Sequence, residues 1–362
     1  MTSLSDMRCA ERAEFLKEAG WSAANAFPLA GDASTRSYER LDLGGRRALL
    51  MNAPPRAESA PCPPEAGPAE RRALGYNARA RLAGPNLNAF LAVASRLRAA
   101  GLSAPAVYAA DPGRGFALIE DLGDALFARA IPADADEAAL YAAAIDALLA
   151  VRNAAPPAPN ARYAMLAYDR TALEAETGLV IEWYWPFRKA AEAPSSIEAD
   201  YIAAWARAFD QLSAPSAITL RDYHAENLLW LPERAGAARV GIIDFQDALI
   251  GWPAYDLASL LEDARRDVSP ALAEAMIARY CAGAAEAGAF DEDAFRRDYA
   301  ILAAQRNAKI LGIFARLVRR DGKPRYLEFL PRVEDHFRRD LSRAPLAPVR
   351  AFFAKRFTEL GL

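Results

Sequence analysis

The order of strand-like and helix-like segments constrains the fold of this 362-residue chain more than any other feature. Four runs with strand character, 37–43, 46–51, 106–108 and 115–120, all precede Asp124. After Asp124, helical periodicity dominates and is broken only between residues 218 and 247. Strands followed by helices predict an α+β fold with two lobes. We expect a β-rich lobe over residues 1–122, ending in a hinge, and a mainly helical lobe over residues 123–362.

Apolar periodicity also places individual helices. The predicted helices are 6–19, 88–100, 136–152, 171–184, 197–212, 255–264, 270–287, 291–316 and 331–341. Gly101 is placed to end the second of them. The segment 54–68 contains six prolines and predicts an irregular loop. The tail 343–362 is predicted to pack back on the helical lobe.

Composition excludes several classes of protein. The net charge is −3 and the charges are interspersed, so no electrostatic footprint for nucleic acid is expected. The N-terminus is too charged for a signal peptide, and no apolar stretch is long enough to span a bilayer. The three cysteines are far apart in sequence and form neither a disulfide framework nor a metal-binding pattern, which is typical of a reducing cytoplasm. We therefore expect a cytoplasmic protein without membrane insertion.

One constellation of polar residues carries a specific chemistry. Asp222 and Asn227 fall on one short loop, and Asp244 follows the apolar run 240–243. Phosphoryl transfer from Mg-ATP needs a carboxylate at the acceptor hydroxyl, and an amide and a second carboxylate on the metal. Mg²⁺ keeps water and phosphate ligands, so two protein oxygens suffice. The pattern predicts a phosphoryl-transfer site that uses ATP and Mg²⁺.

The segment Asp222-Tyr223-His224-Ala225-Glu226-Asn227 resembles the D-x-H-x-x-N core of the aminoglycoside and choline kinase-like phosphotransferases. Within that superfamily the chain is most similar to the anomeric kinases for N-acetylmuramate and N-acetylglucosamine. The matching segments, which span roughly residues 30–330 in the right order, are Gly31-Asp32-Ala33-Ser34, Asn52-Ala53-Pro54-Pro55, Glu120-Asp121-Leu122-Gly123-Asp124, Tyr168-Asp169, Glu182-Trp183-Tyr184 and Asp244-Phe245-Gln246-Asp247-Ala248. The resemblance implies a protein-kinase-like two-lobed fold and an ATP-dependent small-molecule kinase.

The resemblance also implies a role for each matched residue. Asp222 becomes the catalytic carboxylate, and Asn227 and Asp244 become the Mg²⁺ ligands. The turn that begins at Gly31 would cover the ATP phosphates, and its polar side chains are Ser34, Thr35 and Arg36. A plain hairpin turn with a solvated Arg36 remains the alternative for this segment.

Other matched residues have a structural alternative. Glu120 and Leu122 would run beside adenine, and the alternative for the acidic side chains of this segment is a plain surface position. Asp256 is predicted to brace the catalytic loop, and His224 to lock it by hydrogen bonding. His336 lies in a charged helical segment and is predicted to be exposed.

The chain departs from the family pattern in two places. Leu220 stands where the first histidine of the catalytic loop usually lies, so the bracing of that loop must differ. The third strand carries no lysine at its expected end, and the helix 88–100 has no glutamate to pair with one. Arg36 or Arg47 could supply the missing charge. A non-catalytic nucleotide-binding protein is the alternative that these departures leave open.

The acceptor is predicted from the helical half of the chain. Asp169, Glu176 and Trp183 match the pattern of the anomeric sugar kinases and are expected to contact a sugar. A core-facing Trp183 beside an acidic solvated face is the alternative. The leading hypothesis is phosphorylation of the anomeric hydroxyl of an amino sugar for cell-wall recycling. An aminoglycoside, choline or homoserine kinase is the other possibility, and a strongly anionic pocket would favour a polycationic or quaternary-amine acceptor.

Overall fold

A computed structural model of the protein describes residues 4–29, 36–55, 62–131, 133, 135–160 and 162–362. Its N-terminal part contains a five-stranded antiparallel sheet with the strand order β1-β2-β3-β5-β4. The strands are β1 (Asn25–Pro28), β2 (Ser37–Leu43), β3 (Arg46–Asn52), β4 (Val107–Asp111) and β5 (Phe116–Ile119). β2, β3, β4 and β5 lie close to the predicted positions, whereas β1 was missed because it is short and fully exposed.

The alternation of side chains along β3 fixes what covers each face of the sheet. Ala48 and Leu50 pack in a cluster with Phe15 of the first helix. Met51 points the other way and joins the main core together with Phe90. Each face of the sheet therefore has its own helix.

The helices begin and end close to the predicted positions where the pattern was periodic. They are α1 (Leu4–Glu18), α2 (Pro68–Leu74), α3 (Tyr76–Arg79), α4 (Leu87–Ala99), α5 (Phe127–Ala130), α6 (Glu137–Asn153), α7 (Arg170–Thr177), α8 (Trp185–Lys189), α9 (Ser195–Phe209), α10 (Pro253–Leu261), α11 (Pro270–Glu286), α12 (Glu292–Arg319), α13 (Leu330–Leu341) and α14 (Ala347–Arg356). Side-chain N-caps explain several of these starts. Asp136, Ser269 and Asp291 each accept a hydrogen bond from a backbone N–H of the first turn.

The predicted helix 171–184 is not one regular α-helix. α7 ends at Thr177, and a π-helical turn over Val180–Tyr184 joins it to α8. Pro186 lacks an N–H and would break a continuous α-helical ladder, which the wider turn accommodates. Leu179, the residue before this turn, packs closely on Gly312 of α12. A Cβ added at Gly312 would lie only 2.4 Å from the Cβ of Leu179.

Two pairs of short strands lie in the region where helical periodicity fails. β6 (Ala217–Thr219) pairs with β9 (Leu249–Gly251), and β7 (Leu228–Trp230) pairs with β8 (Val240–Ile242). The loops between them carry the predicted catalytic and metal-binding residues. This arrangement, with the sheet before and the helices after it, confirms the predicted two-lobed α+β fold.

The C-terminal part of the chain corrects one prediction and supports another. His336 is 5% exposed, so the prediction of an exposed side chain was wrong. The charged residues of α13 concealed an apolar stripe that includes Val333 and Phe337, and this stripe packs on the core. The tail does pack back, since Phe353 of α14 contacts Tyr201 of α9 with 6.1 Å between ring centroids.

Within the described ranges, no helix combines the length and the hydropathy that crossing a bilayer requires.

Candidate active site

The loop between β6 and β7 holds Asp222 in place through its neighbours. The backbone N–H groups of Leu220 and Arg221 both donate to the Asp256 carboxylate, at 2.7 and 2.8 Å. Burial raises the pKa of Asp256 to about 7, although these two donors favour the charged form. Arg221 also has a φ of 75°, in the left-handed region that costs energy for a residue with a Cβ. Asp256 thus braces the loop as predicted, and it does so through the backbone of Leu220 and Arg221.

Strand register brings Asn227 and Asp244 together. β7 and β8 pair so that Leu228 lies opposite Ile242, and the N–H of Ile243 donates to the carbonyl of Asn227 at 3.1 Å. Asp244 is the next residue, and its φ of 59° turns the chain sharply out of the strand. Two residues that are seventeen positions apart therefore meet at the same end of this strand pair.

The two carboxylates of the site lie near enough to influence each other. Nearly half of the Asp244 side chain (45%) is exposed, so the carboxylate remains accessible to a ligand. The atoms packed around it raise its pKa, and the charge of Asp222 is the second cause. A bound cation would relieve this repulsion.

The donor set fits Mg²⁺. Asn227 donates from Nδ2 to the carbonyl of Asp222 at 2.9 Å, which leaves the amide oxygen as an acceptor for a metal. Together with the Asp244 carboxylate it supplies two hard oxygen ligands, the number that Mg²⁺ commonly takes from proteins when phosphates and water complete the shell. In the described part of the chain, no cluster of three or more His, Cys, Asp or Glu side chains offers a metal site.

The side chain of His224, which belongs to the same loop as Asp222, is buried. Burial lowers its pKa to about 4, so its ring is neutral near neutral pH. Its Nε2 is 3.3 Å from Nδ2 of Asn227. The position agrees with the predicted role of holding the loop rather than acting on a substrate.

An ion-pair network centred on a fully buried glutamate lies beneath the loop that carries Asp222. Glu176 is 0% exposed, and it pairs with Arg221 and, at 3.0 Å, with Lys309. Tyr168 and Gln305 donate hydrogen bonds to the same carboxylate. Glu176 was expected to contact a sugar, but in this structure its oxygens are occupied by these four side chains. Its contribution to the site passes through Arg221, the residue before Asp222.

Arg36 lies beside Asp244. A terminal nitrogen of its guanidinium is 3.5 Å from Oδ1 of Asp244. Arg47 lies at the other end of the β2–β3 pair, because Ser37 pairs with Asn52 whereas Arg47 pairs with Asp42. Of the two candidates for the missing positive charge, Arg36 is the one beside the predicted metal ligands. Gly31, Ser34 and Thr35 lie outside the described residues.

The predicted hinge residues have structural partners. Glu120 pairs with Arg234 at 2.6 Å and accepts from the N–H of Ala106 at 3.0 Å. Leu122 packs in a small apolar cluster with Leu229. Both residues therefore link the strand-rich segment to the region of β7 and β8, and their position beside adenine stays a prediction.

The other two predicted substrate residues lie at the start of α7 and in the π-helical turn that follows it. Asp169 caps α7 and also pairs with Arg71 and Arg81, at 2.5 and 3.1 Å. Trp183 is half-buried against the main core, and Arg320 lies over its ring at 5.9 Å. The core-facing alternative for Trp183 describes this position well.

Sequence reasoning missed two residues of this site. Arg221 was read only as the neighbour of Asp222, and Lys309 as part of a long helix. The sequence did contain a signal for Lys309, because it stands between Ala308 and the apolar pair 310–311 in α12. In the structure its side chain is 13% exposed. A lone cation in such a run indicates a buried partner.

Comparisons with known proteins identify the relatives of the chain. The family model described as "Phosphotransferase enzyme family" matches residues 26–293. A protein of Caulobacter vibrioides named N-acetylmuramate/N-acetylglucosamine kinase is 49% identical over 358 residues, which cover 97% of each chain. A protein of Pseudomonas aeruginosa with the same name is 32% identical and covers 89% of this chain and 85% of its own length.

A solved structure extends the comparison to the fold. The crystal structure of choline kinase LicA from Streptococcus pneumoniae superposes with a TM-score of 0.57 at 13% identity, and covers 91% of this chain and 99% of its own. At that identity the likeness concerns the fold alone. Together with the sequence relatives, it confirms the resemblance that the motifs indicated.

Proposed function

The chain belongs to the phosphotransferase enzyme family, and from this premise we propose that it transfers the γ-phosphoryl group of ATP to the anomeric hydroxyl of N-acetylmuramate or N-acetylglucosamine. The product is the sugar 1-phosphate, and we place the reaction in the recycling of cell-wall sugars. One observation carries the proposal: a relative named for these two acceptors is 49% identical over 97% of the chain.

The geometry supports a different role for each of the residues in the site. Asp222 orients the acceptor hydroxyl toward the γ-phosphorus and accepts its proton as the new P–O bond forms, while the bond from the γ-phosphorus to the β–γ bridging oxygen breaks and ADP leaves. Asn227 and Asp244 would hold Mg²⁺, which would neutralise negative charge on the phosphates when bound. The buried Glu176–Arg221 pair fixes the backbone from which Asp222 projects. Proton removal contributes less than alignment in such transfers, so this rigidity matters.

The experiment that tests the proposal is a panel of acceptors. The protein is incubated with Mg-ATP and N-acetylmuramate, N-acetylglucosamine, kanamycin or choline, and products are followed by ADP formation and phosphorus NMR. We expect phosphorylation of the two amino sugars only. Turnover of kanamycin or choline instead would replace the proposed acceptor, and ATP binding without turnover of any acceptor would indicate a nucleotide sensor.

Arg36 gives a separate prediction about the phosphate side of the site. Replacing Arg36 with Ala should weaken ATP binding by about tenfold and lower turnover, because a charge-assisted hydrogen bond to phosphate would be lost. Arg47→Ala is the matched control, since it removes the same charge from the exposed far end of the β2–β3 pair. Titration calorimetry with ATP and steady-state kinetics measure both effects. Unchanged affinity and turnover in Arg36→Ala would remove Arg36 from this role.

A further inference from the structure

A pocket of about 320 Å³ lies beside Asp244, on the side of Gln246. Gln246 lines the pocket and donates from Nε2 to Oδ1 of Asp244 at 2.9 Å. Its other described lining residues lie within 62–64, 81–89, 162–166 and 248–249 and at position 160. Its volume is at the lower end of the range for small-molecule sites, which suits a monosaccharide better than a compound of several rings.

Asp247, like Gln246, lies between this pocket and the predicted metal site. The N–H of Ala83, in the pocket wall, donates to Oδ1 of Asp247 at 2.6 Å. Tyr163, another lining residue, interacts electrostatically with the same carboxylate. Burial first, and the charge of Asp247 second, raise the pKa of the Tyr163 hydroxyl to about 12. A ligand in this pocket would therefore lie next to the residues that flank the proposed metal site.

The charged side chains among the described lining residues of the pocket are all cationic. Its described lining residues include Arg81 and Arg162 but no aspartate or glutamate. Asn86 and Asn160 are the other strongly polar side chains in the wall. A cationic acceptor would meet two like charges there, whereas an anionic one would be attracted.

The backbone of Arg81 is in the left-handed region, and its side chain is held by contacts with neighbouring residues. Its φ is 55°, and its guanidinium donates to the carbonyl of Ala167 at 2.9 Å and pairs with Asp169 at 3.1 Å. Asp169 already forms a two-point pair with Arg71. Two guanidinium groups therefore share one carboxylate, so positive charge exceeds negative charge within this group of three side chains.

The side chain of Arg81 also has an unused donor. Its Nε is buried and has no hydrogen-bond partner among the described residues. A buried donor without a partner costs free energy, so the guanidinium beside the pocket is not fully satisfied by its protein contacts.

We propose that this pocket binds the acceptor sugar, and that Arg81 and Arg162 bind a carboxylate that the sugar carries. The inference rests on the proposed function and deepens it. Of the two proposed acceptors, N-acetylmuramate carries a carboxylate on its lactyl ether and N-acetylglucosamine carries none. Arg81 and Arg162 thus set the preference between the two sugars, and Asp169 acts as a positioning residue for Arg81.

The test compares kcat/KM for the two sugars in Arg162→Ala and Arg81→Gln. Each variant should lower the ratio of kcat/KM for N-acetylmuramate to that for N-acetylglucosamine by about tenfold or more, the value of a lost charge-assisted hydrogen bond. Arg350→Ala is the matched control, because Arg350 is exposed on α14 and does not line the pocket. It should leave the ratio unchanged. Thermal unfolding checks each variant, and Arg162→Ala decides alone if Arg81→Gln does not fold.

The outcomes separate this inference from the function on which it rests. If the wild-type protein phosphorylates both sugars and the ratio in Arg162→Ala stays within about twofold of the wild-type value, the inference is wrong and the proposed function stands. The inference is equally wrong, and the function again stands, if the wild-type protein accepts only N-acetylglucosamine. If it phosphorylates neither sugar, both the function and the inference fail.

Discussion

Asp222→Asn is expected to lower kcat by about 100-fold or more while ATP binding changes little, because the amide cannot accept the proton of the acceptor hydroxyl. The substitution preserves size, and the backbone of residue 222 keeps its hydrogen bond from Asn227. The loop should therefore stay in place. Steady-state kinetics with the amino-sugar acceptor and calorimetry with Mg-ATP measure the two effects.

The matched control for this substitution is Asp200→Asn. Asp200 is exposed on α9 and pairs with Arg356 at the long distance of 3.8 Å, so its loss should leave kcat unchanged. An equal loss of turnover and ATP binding in Asp222→Asn would contradict the role of Asp222 and would indicate a disrupted fold or a phosphate-side contact instead.

Glu176→Gln is expected to lower the free energy of unfolding by about 3–5 kcal/mol, because it leaves Arg221 and Lys309 buried without their countercharge. Chemical denaturation of the ligand-free protein measures the loss. Glu174→Gln, two residues earlier on α7 and partly exposed in its pair with Arg170, should change stability by about 0.5 kcal/mol or less. A loss below about 1 kcal/mol in Glu176→Gln would show that the network contributes little to stability.

The same carboxylate gives the wild-type protein a defined response to acid. Burial alone would raise the pKa of Glu176, but Lys309, Arg221 and the hydrogen bonds from Tyr168 and Gln305 hold it at about 2, below the value of about 4.5 for the free side chain. A depressed pKa contributes stability above pH 4.5, and this contribution is lost as the pH falls from about 4.5 toward 2. The loss amounts to about 3 kcal/mol, and it should be absent from Glu176→Gln. Denaturation curves at several pH values compare the two proteins.

The local part of the site could be predicted from the sequence. Asp222, Asn227 and Asp244 are close in sequence to a strand pair whose apolar runs are easy to recognise, so strand register alone brings Asn227 to Ile243. The bracing role of Asp256 was predicted for a similar reason, since it lies at the start of a helix that must pack beside the loop. For these residues, the pattern of the neighbouring sequence was enough to predict where they lie.

Contacts between distant segments were beyond prediction. Glu176 and Lys309 are 133 positions apart, and only the packing of α7 against α12 makes them partners. The pattern suggested an acidic surface for substrate, but the fold turns Glu176 inward. Asp169 is likewise engaged by Arg71 and Arg81, which arrive from the segment after the proline-rich loop.

The proposed acceptor pocket was likewise beyond prediction. Its described walls combine residues of that segment with three other stretches, and the cations among its described lining residues oppose the anionic pocket that would suit a polycationic or quaternary-amine acceptor. No single stretch of sequence contains this information. The proline-rich segment itself, treated as an irregular loop, supplies residues 62–64 of the wall.

The position of the phosphate on the product distinguishes an anomeric kinase from any other sugar kinase. After complete reaction of N-acetylmuramate with Mg-ATP, a proton–phosphorus correlation spectrum identifies the carbon that bears the ester, and a reducing-end assay counts free anomeric centres. We expect coupling of the phosphorus to the proton on C1 and loss of the reducing end. Coupling to the protons on C6, with the reducing end retained, would contradict the proposed anomeric transfer.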